Sequence, residues 1–428
     1  MIATLRNAWR VDEIRKKMLF VLFMVLLYRI GNAVTVPYVN TAMLSEYFQN
    51  ISNTVLGFIN TMSGSALERA SIFALSIQPY INASIIIQLL TVAIPALERL
   101  QKDGGEEGKK KIEKITRYST VGIAALQGYG YYVLISQNNM LDPAATGLWP
   151  PIVIVATFMA GSALLMWMGE QITEFGIGNG ISVILFVSII SRFPSQIWTM
   201  VTSVIQAPSN WWIYVLMLLG ALAIIVLIVI VTNSERRIPV QYSKRVVGRK
   251  MYGGQSTHLP MKVNMSGVLP VIFAQSIASV PATIVVFVPQ WKDGWLMKAL
   301  DTTGIPYMVL YFLLILFFSY FYSTVQFNPI EIANNLKKNG GFIPGFRAGK
   351  PTSEFIQRVL TKITLFGALY LAIIAITPII ISYFSDTAKK SGISLGGTSI
   401  IIVISVALET IKQLESQLLM RHYKGFLE

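Results

Sequence analysis

Cysteine is absent from the 428 residues, which rules out disulfides and thiolate metal sites and leaves the redox compartment unreadable. Only two histidines occur, His258 and His422, far apart, so no imidazole cluster exists to hold a transition metal. Charge is scarce as well. Charged residues make up 13% of the chain, far below the quarter expected of a soluble domain. Hydrophobic residues reach 54% and the mean hydropathy is +0.58, so the chain belongs to the membrane class.

The charge that remains is strongly one-sided, with a net of +14. Placed between apolar segments, it suits the anionic lipids of an inner leaflet and cytosolic partners better than nucleic acid. A helix rises about 1.5 Å per residue and a bilayer core is about 30 Å thick, so a crossing needs about 20 apolar residues. Ten stretches qualify, near 19–36, 71–95, 118–137, 151–169, 177–193, 211–232, 267–288, 307–327, 363–384 and 398–414. The first has no small-residue cleavage site after it and contains Arg29, so it is expected to be a retained span rather than a signal peptide.

With both termini in the cytosol, 28 of the 35 Lys and Arg fall on the inner side. Only Arg69, Lys292, Lys298, Lys389 and Lys390 fall in outer loops, as the positive-inside rule requires. Three inner segments project: 98–117, 233–265 and 328–358. Topology alone accounts for some of their charge, but the second and third are longer than anchoring needs and carry Gly and Pro beside Lys and Arg, as partner-docking loops do. Ten spans divide five and five, and an odd number per half suits an inverted repeat.

An ion-coupled transporter keeps ionisable groups inside its bundle, yet here only Arg29 and Glu409 lie well within spans, with Glu170 and Arg192 near span ends. Pairing or snorkelling accounts for these as readily as a relay. Ile51 to Ala70 is moderately apolar but too rich in Gly, Ser and Asn to cross. It is either a surface helix or a re-entrant one, and re-entry implies a cavity. The run from Gly345 to Lys350 is a poor phosphate loop, because Pro351 stands where Ser or Thr would hold magnesium. No paired carboxylates or Ser/His/Asp set assemble near one leaflet, so a membrane enzyme is disfavoured, and any work done must be powered by another protein.

At Ser71-Ile-Phe-Ala-Leu-Ser-Ile-Gln-Pro-Tyr-Ile-Asn-Ala-Ser-Ile-Ile-Ile-Gln-Leu-Leu90 the chain resembles the second span of the SecY family. Met166 to Glu174, Gly176 to Ser182, Gln255 to Met265, Phe327-Asn-Pro, Gly341 to Gly345 and Gly396 to Ser399 continue the resemblance in family order. It implies an all-α membrane protein whose ten transmembrane helices form two inverted five-helix halves around an hourglass pore, with a re-entrant plug helix. The halves would be 1–205, with the plug at about 55–68, and 206–428, with cytosolic loops at about 233–265 and 328–358.

By the same resemblance, Ile77, Ile81, Ile181, Leu185, Ile272 and Ile402 form the pore ring. Phe58, Ile59, Asn60, Thr61, Met62, Ser63 and Gly64 form the plug. Ile77 and Ile81 are four apart, as are Ile181 and Leu185, so each pair shares a helix face. An aliphatic ring excludes water and ions yet deforms around a polypeptide. A lateral gate is expected between 71–95 and 267–288, with Asn82, Gln88, Gln127, Val280 and Thr283 beside it, because signal sequences must reach lipid and helix contacts in membranes are individually weak. Lys244, Arg245, Arg249, Lys250, Arg347 and Lys350 would dock the motor SecA and the ribosome.

The resemblance also implies SecE and SecG as small partners, no cofactor, a plasma membrane location and a passive channel for secretory and membrane-protein substrates. Many bacterial relatives carry Gly and Met where this chain has Ser76 and Gln78, Ile where it has Leu185, and Pro where it has Ala348. A secondary transporter is the competing reading, disfavoured by the scarcity of intramembrane charge and the large basic loops.

Overall fold

A span must hydrogen-bond its own backbone inside lipid, so apolar runs of this length become helices. The computed structural model describes residues 2–50, 55–143, 145–206, 211–242, 245–247, 250–252, 256–265, 267–281, 304–384 and 396–424. Each of the ten apolar stretches holds helix within its described part. The first half contains α1 (Ile2–Arg10), α2 (Asp12–Ala33), α3 (Thr41–Asn50), α4 (Val55–Met62), α5 (Gln78–Ala93), α6 (Pro95–Lys102), α7 (Gly105–Gln137), α8 (Trp149–Phe175), α9 (Gly180–Ile190) and α10 (Phe193–Gln206). The second contains α11 (Trp211–Asn233), α12 (Leu269–Ala278), α13 (Ile305–Gln326), α14 (Pro329–Lys338), α15 (Lys350–Phe384) and α16 (Gly396–Lys424).

Among the described residues, five helical stretches are long and apolar enough to cross a membrane, or six if α5 and α6, bent by 104° at Ile94, form one span. Pro95 causes that bend, since the residue before a proline is driven out of the helical region and Ile94 is extended. Exposure separates lipid-facing helices from internal ones. Only 11% of the apolar window of α11 is buried, against 56% of that of α15, so α11 stands at the rim and α15 inside.

Helix boundaries depart from the apolar windows in both directions. Helices α2, α7 and α15 begin well before their windows, at Asp12, Gly105 and Lys350, because Lys, Glu and Arg are good helix formers and continue the helix into water. The stretch from 71 runs the other way. Residues 71–77 form turns, with Ser76 at φ +51, and helix begins only at Gln78, where Pro79 fits the first turn. This entry is held by backbone bonds, Ile72 N–H to Val34 O at 3.0 Å and Val36 N–H to Ala70 O at 2.8 Å. It also presses on α8, where a Cβ at Gly161 would lie 2.0 Å from the Ile72 carbonyl oxygen.

The polar loops contain strands that the hydropathy pattern does not reveal. Strand β1 (Glu235–Tyr242) pairs antiparallel with β4 (Ser256–Lys262), from Glu235 opposite Lys262 to Gln241 opposite Ser256. Its end also pairs with β5 (Gly341–Phe342), so the two long loops are joined by backbone hydrogen bonds. Between them β2 (Arg245–Val247) and β3 (Lys250–Tyr252) form a separate hairpin. Alternating Ile238 and Val240, with Met261 and Ile343, bury one face against Ile356 and Leu360 of α15.

Candidate functional site

Helix α9 packs against α8 and α16 and meets α2 and α4. Asn179 caps it, accepting from Ile181 N–H at 3.0 Å and Ser182 N–H at 3.3 Å. Asn179 and Ser182 line a polar cavity of about 380 Å³ that also takes in Lys262, Asn264, Ser405 and Glu409. One turn along, Leu185 is 2% exposed and lies in the main apolar core. A turn further, Ser188 meets the segment that follows α4. Polar cavity, apolar layer and buried segment therefore succeed one another within about 10 Å of helix.

The apolar layer brings together residues of both halves. Ile77, Ile81, Leu185, Ile272 and Ile402 are all buried in one core, and Ile181 packs on its edge. Gly169 of α8 borders them. A Cβ there would lie 3.4 Å from Ile181 Cγ1 and 3.5 Å from Ile77 Cδ1. Next to this layer, Gln78 is buried with its side-chain oxygen unpaired.

Helix α4 and the turns after it pack inside the protein. Asn60, Thr61, Met62 and Ser63 are buried, Ile59 and Gly64 are partly so, and Phe58 belongs to α4. The Tyr28 hydroxyl donates to Ser63 O at 3.2 Å and lies 2.6 Å from Ser188 Oγ. Gly64, at φ +68, approaches α9 so closely that a Cβ would lie 2.9 Å from Ser191 Oγ and 3.0 Å from Ser188 O. The Tyr131 hydroxyl donates to Leu67 O.

Beside the buried segment, Asn82 of α5, Gln127 of α7 and Val280 share a cavity of about 160 Å³ with Ile59 and Gln78. Thr283 lies outside the described residues. Gln88 is placed differently from the other polar residues of α5. Its side-chain oxygen accepts from the Tyr322 hydroxyl on α13, not from α12. Tyr322 escapes sequence reasoning, because one tyrosine in an aromatic-rich span carries no signal of a partner 234 positions away.

In the loops, Arg347 is exposed between Gly345 at φ +88 and Gly349 at φ +104, and Lys350 is exposed at the start of α15. Phe346 stacks on Phe355 of α15 with centroids 4.2 Å apart, and Thr352 Oγ1 donates to Arg347 O at 2.7 Å, so the tip is fixed. Arg245 and Lys250 open β2 and β3, while Lys244 and Arg249 lie outside the described residues. Of the ionisable groups near span ends, Glu170 pairs with Arg117 at 2.8 Å and Arg192 with Glu68 at 3.8 Å. Among the described residues no group of His, Asp and Glu is placed to hold a metal ion.

A helical membrane protein with this arrangement has the fold of the protein-conducting channels. A solved structure described as a protein-conducting channel superposes with a TM-score of 0.67 at 18% identity, covering 94% of this chain and 92% of that one. A structure concerned with the plug domain that stabilises the closed SecY channel gives 0.64 at 16% identity over the same shares. Sec61 in a canine ribosome-channel complex gives 0.62 at 16% identity, again over 94% and 92%.

The SecY family model matches residues 71–411. Protein translocase subunit SecY of Streptomyces coelicolor is 43% identical over 442 residues, covering 100% of both chains, and that of Corynebacterium glutamicum is 43% identical over 441 residues, covering 99% of both. The chain belongs to the SecY family.

Proposed function

We propose that this chain is the pore subunit of a plasma membrane translocase, with cytosolic termini, that passes unfolded secretory polypeptides and releases membrane segments sideways into lipid. The observation that carries this reading is the sequence of layers along α9: a polar cavity, a layer of aliphatic side chains from both halves, then a buried short helix. Such a layer bars water and ions while offering a passing chain no hydrogen-bonding partner. Near-complete burial of Ile77, Leu185 and Ile402 fits a closed collar, and the segment 55–68 serves as the plug beyond it. The ten helices act as two inverted halves, 1–205 and 206–428.

The lateral exit lies between α5 and α12, where Asn82, Gln127 and Val280 already border a cavity. Energy comes from SecA or the ribosome, seated on the strand-joined loops, and the pore subunit itself is passive. Ribosome contact is supported by the fold's likeness to channels solved on ribosomes, Sec61 and the yeast Ssh1 complex. SecE and SecG complete the assembly, and an apolar groove of about 370 Å³ between α2, α9 and α16, lined by Val21, Val25, Phe186 and Ile411, offers a place for side chains of one membrane helix. Anionic lipids meet the basic inner face.

The test is site-specific photocross-linking from Ile81 or Ile272 during export of a stalled precursor. Adducts to the precursor are expected from both positions. Adducts to lipid alone would reject the pore assignment.

A further inference from the structure

The segment after α4 is held by a charge contact as well as by apolar packing. Arg192, at the junction of α9 and α10, donates from Nη1 to Thr61 Oγ1 at 3.0 Å, and its Nη2 lies 3.8 Å from Glu68 Oε2. Glu68 is in turn tied to α4: Asn60 Nδ2 donates to Glu68 Oε2 at 2.7 Å, and Glu68 N–H donates to Asn60 Oδ1 at 3.0 Å. Thr61 Oγ1 donates back to Gly57 O at 3.0 Å. One guanidinium therefore grips both the end of α4 and the turn after it, and these two points are already bonded to each other.

We infer that Arg192 and Glu68 form a latch that sets how strong a signal sequence must be to open the channel. The inference rests on 55–68 being the plug. The pair is suited to a releasable hold. Its side chains are 22% and 19% exposed, enough for water to take over both charges once the segment moves. The grip is also incomplete, since Arg192 Nε is buried without a partner. A fully satisfied buried pair would hold the segment too firmly, and an apolar contact alone would fix no direction. Thr61 and Glu68 reach Arg192 from the same segment, so release of one contact loads the other, and opening becomes a single step.

A weakened latch lowers the threshold for opening. Arg192→Gln and Glu68→Gln are therefore expected to raise export of a precursor with a defective signal sequence, relative to the same precursor with an intact signal, by about fivefold, the shift given by loss of one partly exposed ion pair. Arg192→Lys retains charge but loses the two-point grip, and should fall between. The double exchange Glu68→Arg with Arg192→Glu should restore part of the stringency, which a purely structural role would not do. These ratios would be measured in membrane vesicles carrying the full channel with its partner subunits.

The absence of native cysteine gives a separate check on the plug itself, the pair Gly64→Cys and Ser191→Cys, whose positions are within bridging reach. Oxidation should block export and reduction restore it. Normal export by the oxidised pair would remove the plug reading. Blocked export together with unchanged stringency in both Gln variants would remove the latch alone.

Discussion

At the scale of single residues, the entry to α5 carries two local costs. Ser76 adopts φ +51, a conformation that costs a side-chain-bearing residue about 1–2 kcal/mol and glycine almost nothing. Ser76→Gly should therefore stabilise the protein by about 1–2 kcal/mol, read as a higher thermal midpoint in detergent. Gln78→Met should add to this, since an unsatisfied buried polar group costs about 1–3 kcal/mol. A polar residue at 76 and another at 78, at the head of an apolar run, were legible in the sequence. Their cost was not, because it depends on a backbone angle and on the absence of a donor near Gln78 Oε1.

At the scale of elements, helices were legible and strands were not. Apolar windows find helices because the bilayer sets their length, whereas β1 and β5 are joined across about 100 positions by backbone groups that every residue carries. The Arg192 to Glu68 contact and the Gln88 to Tyr322 bond were hidden for the same reason. Pairing of β1 with β5 gives the basic loop tip a rigid base. Arg347 is exposed and displayed by backbone turns and ring stacking. Arg347→Glu is accordingly expected to reduce motor-driven export at least tenfold while leaving the amount of protein in the membrane nearly unchanged, since exposed substitutions rarely shift stability by more than about 0.5 kcal/mol. Immunoblotting alongside a translocation assay would decide it, and equal export at equal abundance would refute the docking role.

At the scale of the whole molecule, the proposed exit depends on α5 and α12 parting. Asn82 and Val280 border one small cavity, so cysteines at both positions, joined by a short thiol-reactive linker, should tie the seam shut. Export of a precursor with an intact signal should then stop. Continued export through the linked channel would move the exit elsewhere. Ten apolar runs were legible in the sequence, and each holds helix within its described part. What the sequence could not convey is how helix α5 connects to the charged hairpin beside it.

That connection has a mechanical consequence. The α5 and α6 rods meet at 104°, and α6 is pressed so tightly onto the start of α7 that a Cβ at Gly108 would sit 1.9 Å from the Leu100 carbonyl oxygen. A right-angled piece with one arm in the proposed seam and the other clamped to a basic hairpin has the form of a crank: force applied to the hairpin from the water side would turn into sideways travel of the arm within the lipid.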